Sequence, residues 1–109
     1  MILTFDKMEE KQLPNFKGGE GVFCANMYDD ARVKILRGKL VKGASIGLHQ
    51  HSPSMEIIFI LSGKGRAICD GKEEILSAGD CHYCPQDSEH TLKNEWDEDL
   101  CFYAVVPQQ

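Results

Sequence analysis

The sequence predicts an all-β fold, an antiparallel sandwich or barrel, on three observations. Short apolar, strand-like runs recur between turn signals at the spacing of about 8 to 12 residues expected of such folds. No stretch holds a helical period over the length a helix needs. Asp70-Gly71, between two such runs, is a type I′ hairpin signal.

Taken in order, Met1 to Phe5 reads as a short edge strand. Residues 6–20 carry Asp6, Lys7, Glu9, Glu10 and Lys11 before Pro14, Gly18 and Gly19, and show no period of 2 or 3.6, so they read as an ordered but irregular entry segment. Val22 to Tyr28 is a strand, Asp29-Asp30 a turn, and Arg32 to Val41 a long strand ending at Lys42-Gly43. The next strand carries His49 and His51. After the turn at Ser52-Pro53-Ser54, Glu56 opens another that continues through Ile57, Ile58, Phe59, Ile60 and Leu61 to Ser62-Gly63. Arg66 to Cys69 and Lys72 to Leu76 flank the hairpin, and Ala78-Gly79 turns again. Cys81 to Cys84 is a short strand stopped by Pro85, and His90 opens Thr91 to Asn94. Glu95 to Asp99 is an acidic loop, and Leu100 to Val106 a last apolar strand closed by Pro107. No repeat or low-complexity tract interrupts the chain, which reads as one domain over residues 1–109.

Bulk properties exclude several function classes. Net charge is −5, from twelve basic and seventeen acidic residues, with no run of Lys or Arg, so nucleic acid and anionic membrane are poor partners. No stretch approaches the roughly 18 apolar residues of a membrane span, and Met1 to Phe5 is too short for a signal-peptide core. A cytoplasmic location is the expectation. The five cysteines make an odd count, which fits reduced thiols. Cys81 and Cys84 have the spacing of a zinc or redox pair, but no second pair exists and strand alternation sends them to opposite faces. They read as plain strand cysteines. No Ser-His-Asp set is visible, and Gly18-Gly19-Glu20-Gly21 lacks the Lys-Ser/Thr and helix of a phosphate loop.

The chemistry concentrates between Gly43 and Asn94. His49 and His51 leave one face of a strand with Cα atoms about 7 Å apart, a span two imidazoles can close onto one metal ion. Glu56 can return a carboxylate beside them, and His90 offers a third imidazole. An isolated His-x-His is by itself uninformative, since surface histidines are common. Three neutral imidazoles and one carboxylate suit a divalent transition metal and leave octahedral positions open.

These residues resemble the cupin family. Its first motif is matched by Gly43, His49, His51, Glu56 and Gly63, and its second by Gly79, Pro85, His90 and Asn94. Asp87 stands where the family usually has Gly, and Asp tolerates the left-handed conformation that such a turn requires. The resemblance implies a jelly-roll barrel and one divalent metal ion on His49, His51, Glu56 and His90. Mn, Fe, Ni, Cu and Zn all suit this mixed set of donors.

Alternation on the first motif strand predicts that Ser45 and Gly47 share the histidines' face and leave room above the metal. Ile58, Ile60 and Leu92, with Phe102 or Tyr103, are expected to form an apolar pocket wall; Asn94 is a further candidate, as are Met27, Tyr28 and Tyr83. Ile57, Phe59 and Leu61 point the other way from Glu56, and a strand apolar on both faces implies cover on both. Small cupins commonly pair through the outside of one sheet, sometimes exchanging an N-terminal strand, so the resemblance implies a homodimer in which Met1 to Phe5 could serve.

Three function classes fit this pattern. One is a metal-dependent enzyme acting on a small organic molecule, an oxidoreductase of dioxygenase type or an isomerase. Another is a non-catalytic module that binds a small sugar or organic acid, and the third is a barrel with a vestigial site, which the intact ligand set opposes. No assured general base stands beside the metal candidates, which favours the oxidative and binding readings.

Overall fold

Alternation along the last strand sets the inside of the molecule. Leu100, Phe102, Ala104 and Val106 are buried while Tyr103 is exposed, the period of a strand with one face on a core. The structure, a computed structural model, describes residues 1–107. Its ten strands are β1 (Glu10–Pro14), β2 (Val22–Asp29), β3 (Val33–Leu40), β4 (Ser45–Gln50), β5 (Glu56–Ser62), β6 (Lys64–Cys69), β7 (Lys72–Ser77), β8 (Cys81–Cys84), β9 (Glu89–Lys93) and β10 (Leu100–Pro107). They form a six-stranded antiparallel sheet, β1-β2-β3-β10-β5-β8, and a four-stranded one, β4-β9-β6-β7. One apolar cluster joins the sheets, with Phe23, Leu36, Ile58 and Phe102 from the first and Ile46 and Leu92 from the second. This is the jelly-roll barrel. Among the described residues no helix is long and apolar enough to cross a membrane.

Local chemistry accounts for the turns and the tightest packing. Asp70 and Gly71 both take positive φ, 49° and 81°, the requirement of the type I′ turn that joins β6 to β7. Gly38, in the middle of β3, lets the rings of Phe23 and Phe102 stack 5.9 Å apart, because a Cβ there would lie 2.6 Å from the Phe102 ring.

Three sequence expectations are corrected. Met1 to Phe5 is not a strand; a 3₁₀ turn at Phe5–Lys7 instead lays the Phe5 ring 5.5 Å from that of Tyr103, on its own chain. Residues 6–20 are not wholly irregular, since they contain β1, an edge strand paired with β2. Its side chains are exposed on nearly every position, so no period marked it. On β4 the alternation breaks. Ile46 pairs with Leu92 and His49 with His90, so three steps along β4 match two along β9. This is a β-bulge, and it reverses the facing of everything before it. Ile46 therefore turns inward with His49, and Gly47 does not.

The outer face of the six-stranded sheet is apolar across several strands. Tyr103 pairs with Phe59, and Ile57 pairs with both Val105 and Tyr83; Phe59, Tyr83 and Tyr103 are exposed by 46%, 53% and 36%. All five cysteines are free thiols, and Cys81 is exposed while Cys84 is buried, as alternation requires. Burial pushes the Cys84 thiol up to about 12, which keeps it inert at neutral pH.

Leu40, fully buried and paired with Phe23 and Leu100, provides a test of the barrel core. Leu40→Ala should cost about 2–5 kcal/mol in urea unfolding; a loss below about 1 kcal/mol would show that the two sheets do not pack there.

Candidate metal centre

The two histidine-bearing segments are stitched together before any ligand is considered. The His51 amide donates to the Ser88 carbonyl, the Asp87 amide donates to the His51 carbonyl at 2.6 Å, and the Gln50 side chain donates to the Asp87 carbonyl. Asp87 takes φ 71°, so the left-handed turn survives without glycine. His49 from β4 then pairs with His90 from β9, and Glu56, the first residue of β5, comes from the opposite sheet.

The ligand atoms of His49, His51, Glu56 and His90 all lie within 4.8 Å of one another. The Nε2 atom of His51 is 3.1 Å from that of His49 and 3.1 Å from that of His90. Glu56 Oε1 is 3.0 Å from His51 Nε2, 2.8 Å from His90 Nε2 and 3.9 Å from His49 Nε2.

Partners on the far side of the rings direct the protons. His49 Nδ1 lies 2.8 Å from the Gly47 carbonyl, which can only accept, so Nδ1 holds the proton and Nε2 is bare. His51 Nδ1 meets Ser54 Oγ at 3.2 Å, and His90 Nδ1 meets His82 Nε2 at 3.0 Å. Bare nitrogen lone pairs 3.1 Å apart repel unless a cation or a proton lies between them. The donor set therefore fits a divalent transition metal ion, which three imidazoles and a carboxylate could hold with positions to spare. Burial alone would raise the Glu56 pKa, but while no cation is there the surrounding imidazoles, above all His51 with its proton on Nε2 and Ser54 Oγ donating to its Nδ1, outweigh it and hold the carboxyl well below its usual range. Burial shifts His90 the other way from a free imidazole, lowering its pKa and favouring the neutral ring a metal requires.

A cavity of about 200 Å³ opens beside the cluster, reached by His49, His51 and Glu56. Phe16, Phe23, Met27, Leu36, Ile46, Phe102 and Val106 give it apolar walls, and Lys17 and Lys34 also line it. Neither lysine is in an ion pair among the described residues. Lys17 instead lies 5.6 Å above the Phe16 ring.

The predicted pocket wall is met only in part. Phe102 and Met27 line the cavity. Ile58, Ile60 and Leu92 are buried in the core, away from the lining. Ser45 and Gly47 are corrected, because the bulge places them along a depression on the other side of the four-stranded sheet, and Asn94, just past β9, takes the structural hydrogen-bonding role in the turn that its sequence position also allowed. There Ser45 Oγ accepts from the Glu20 amide, and the Asn94 side chain donates to the Leu40 and Glu98 carbonyls. A Cβ on Gly47 would overlap the Lys17 carbonyl oxygen, so its smallness admits the 16–19 segment and not a ligand. Tyr103 is corrected too, since Phe102 takes the inward position and sends it outward. Tyr28 is a partner of Asp30 and Tyr83 is exposed. The lining residues that sequence reasoning missed include Phe16, Lys17, Phe23, Lys34, Leu36, Ile46 and Val106. Lys34 and Val106 had a signal, lying two and four residues from inward Leu36 and Phe102 on their strands. Phe16 and Lys17 had none, because the segment has no period.

The cupin-domain family model matches residues 36–106, a span that holds all four residues of the cluster. The oxalate-binding protein of Thermotoga maritima is 33% identical, over 97% of this chain and 93% of that one. A solved Thermotoga maritima structure, described as a predicted oxalate decarboxylase, superposes with a TM-score of 0.93 at 28% identity over 100% of both chains. An RmlC-like cupin from Shewanella frigidimarina shares the fold, with a TM-score of 0.82 at 15% identity over 99% of this chain and 90% of that one. With the motif residues converging in space as well as in order, these matches establish that the chain belongs to the cupin family.

Proposed function

We propose that this protein binds a compact dicarboxylate of the oxalate class at a divalent transition metal held by His49, His51, Glu56 and His90. One observation carries the reading. A small cavity of mixed polar and apolar lining has the three-histidine and carboxylate cluster at one side and carries Lys17 and Lys34, neither in an ion pair among the described residues. The likeness to an oxalate-binding protein supports the same class of ligand. When bound, the ion supplies Lewis acidity toward oxygen donors. The chain itself supplies the rest. The two ammonium groups offer charge-assisted hydrogen bonds to carboxylate oxygens not on the metal. Phe16, Phe23, Leu36 and Val106 present an apolar wall beside those contacts, which lowers the local dielectric and strengthens them. The cavity's size favours a ligand of a few heavy atoms over a sugar or polymer.

Binding without turnover fits better than isomerisation or other acid–base chemistry. Among the described lining residues Glu56 is the sole carboxylate, and it is committed to the cluster. Oxidative turnover is the second reading, favoured by the coordination positions that four protein ligands leave open. Oxygen uptake with oxalate under each candidate metal separates the two. The free thiols suit a reducing, cytoplasmic setting. The apolar outer face of β3, β10, β5 and β8 suits a second copy of this chain.

Four outcomes check these readings. Wild-type protein should retain one equivalent of Mn, Fe, Ni, Cu or Zn by elemental analysis, and His51→Ala should lose it. Retention should fall as pH drops below about 6.5, because an imidazole coordinates only when neutral. Burial lowers the His90 pKa, so that ring stays neutral to lower pH than a free imidazole and resists the loss. Undiminished metal in His51→Ala would place the site elsewhere. For the ligand, Lys34→Ala should weaken oxalate binding about tenfold in calorimetry, near the worth of one charge-assisted hydrogen bond, with metal content unchanged. Equal affinity would remove the lysine from the site. For assembly, sedimentation equilibrium at micromolar concentration should give twice the monomer mass, and Phe59→Lys should shift it to monomer; a monomeric wild type would overturn the dimer.

A further inference from the structure

A buried histidine that the metal cluster does not use stands behind it. His82, on the inward face of β8, is 1% exposed. Its Nε2 is 3.0 Å from Nδ1 of His90, and its Nδ1 is 2.7 Å from Glu74 Oε1. The two imidazole rings are nearly parallel, at 14°. Glu74 belongs to β7, the edge strand of the four-stranded sheet, and its side chain is 48% exposed. The file thus runs from solvent, through one carboxylate and one buried ring, to a residue of the cluster.

The proton positions along this file follow from its outer end. A carboxylate only accepts, so His82 Nδ1 carries a proton and donates it to Glu74. Neutral His82 then has a bare Nε2, which accepts from His90 Nδ1–H. Neutral His90 in turn presents a bare Nε2 to the cluster, 2.8 Å from Glu56 Oε1, so this order of protons holds with a cation between those two atoms. The opposite tautomers would set a bare Nδ1 of His82 against the Glu74 carboxylate at 2.7 Å, two acceptors with nothing between them.

We propose that His82 and Glu74 are positioning residues for the metal site, holding His90 as an Nε2 donor and raising its donor strength through the Glu74 charge. The inference rests on the metal reading above and extends it to two residues outside the cluster. Outer partners of this kind typically change metal affinity by about 10–100-fold. A merely structural role would leave the affinity and the ring tautomer unchanged once the protein is folded.

The test uses zinc, which is diamagnetic, and the intact chain. In zinc-loaded protein, ¹⁵N imidazole spectra should show His82 as the Nδ1–H tautomer, its bare Nε2 accepting from His90 Nδ1–H; an Nε2–H tautomer at His82 would overturn the proposal. Chelator competition should show zinc bound about 10–100-fold more weakly by His82→Leu. His82→Gln, whose amide oxygen can accept in place of Nε2, should recover most of that loss. Glu74→Ala, at a half-exposed edge position, should fold as the parent does and still weaken zinc by about tenfold. Wild-type affinity in both His82→Leu and Glu74→Ala would overturn the pair's role alone. Absence of zinc affinity in the parent would overturn the metal reading on which it rests.

Discussion

The structure depends on keeping one ionised carboxylate inside a barrel. Glu56 is buried, and an unpaired carboxylate there would be displaced toward its neutral form. The imidazoles around it, with a proton or a cation between the facing atoms, hold it ionised. That arrangement needs side chains from both sheets at one point, and the local irregularities of the chain serve it. The bulge in β4 turns His49 to meet His90, and the left-handed Asp87 supplies the amide that ties down His51. The Gly47 carbonyl, at the bulge itself, orients the His49 ring.

The same local geometry links the metal cluster to the cavity. Gly47 lets the 16–19 segment pass close over β4, and that segment places Phe16 and Lys17 in the cavity lining. A residue first read as room for a ligand therefore acts one step removed, by admitting the backbone that carries a lysine. The wall opposite comes from β2, β3 and β10, through Phe23, Leu36, Phe102 and Val106. The candidate metal donors and most of the cavity lining thus arise from different parts of the chain, and either set could vary without the other. This is why one fold and one metal motif can serve unrelated reactions. It is also why the cation pair in the lining, and not the fold, bears on the ligand class.

The outer surface of the six-stranded sheet is a separate constraint. β5 is apolar on both faces; Ile58 and Ile60 pack into the barrel, whereas Phe59 and Leu61 stay exposed. The N-terminal turn covers part of that face by stacking Phe5 on Tyr103 and pairing Asp6 with Arg37 at 2.7 Å. Ile57, Phe59 and Tyr83 lie beyond it.

Short-range chemistry made much of this legible from the sequence alone. Strand alternation, the Asp-Gly turn and the spacing of His49, His51, Glu56 and His90 are set within a few residues, and they sufficed for the all-β class and the grouping of the cluster. The shared facing of Ile58 and Ile60 with Glu56 followed from the same period of 2, whereas the choice between Phe102 and Tyr103 stayed open. Tertiary structure decided what that period cannot carry. A bulge exists only relative to a partner strand, so the exchange of Gly47 for Ile46 on the inner face could not be read from β4. An exposed edge such as β1 buries too little to leave a pattern. The contact of Lys17 and Lys34 with one cavity, and the file from Glu74 through His82 to His90, join residues whose separation along the chain is unrelated to their distance in space; only the closing of two sheets upon each other determines them.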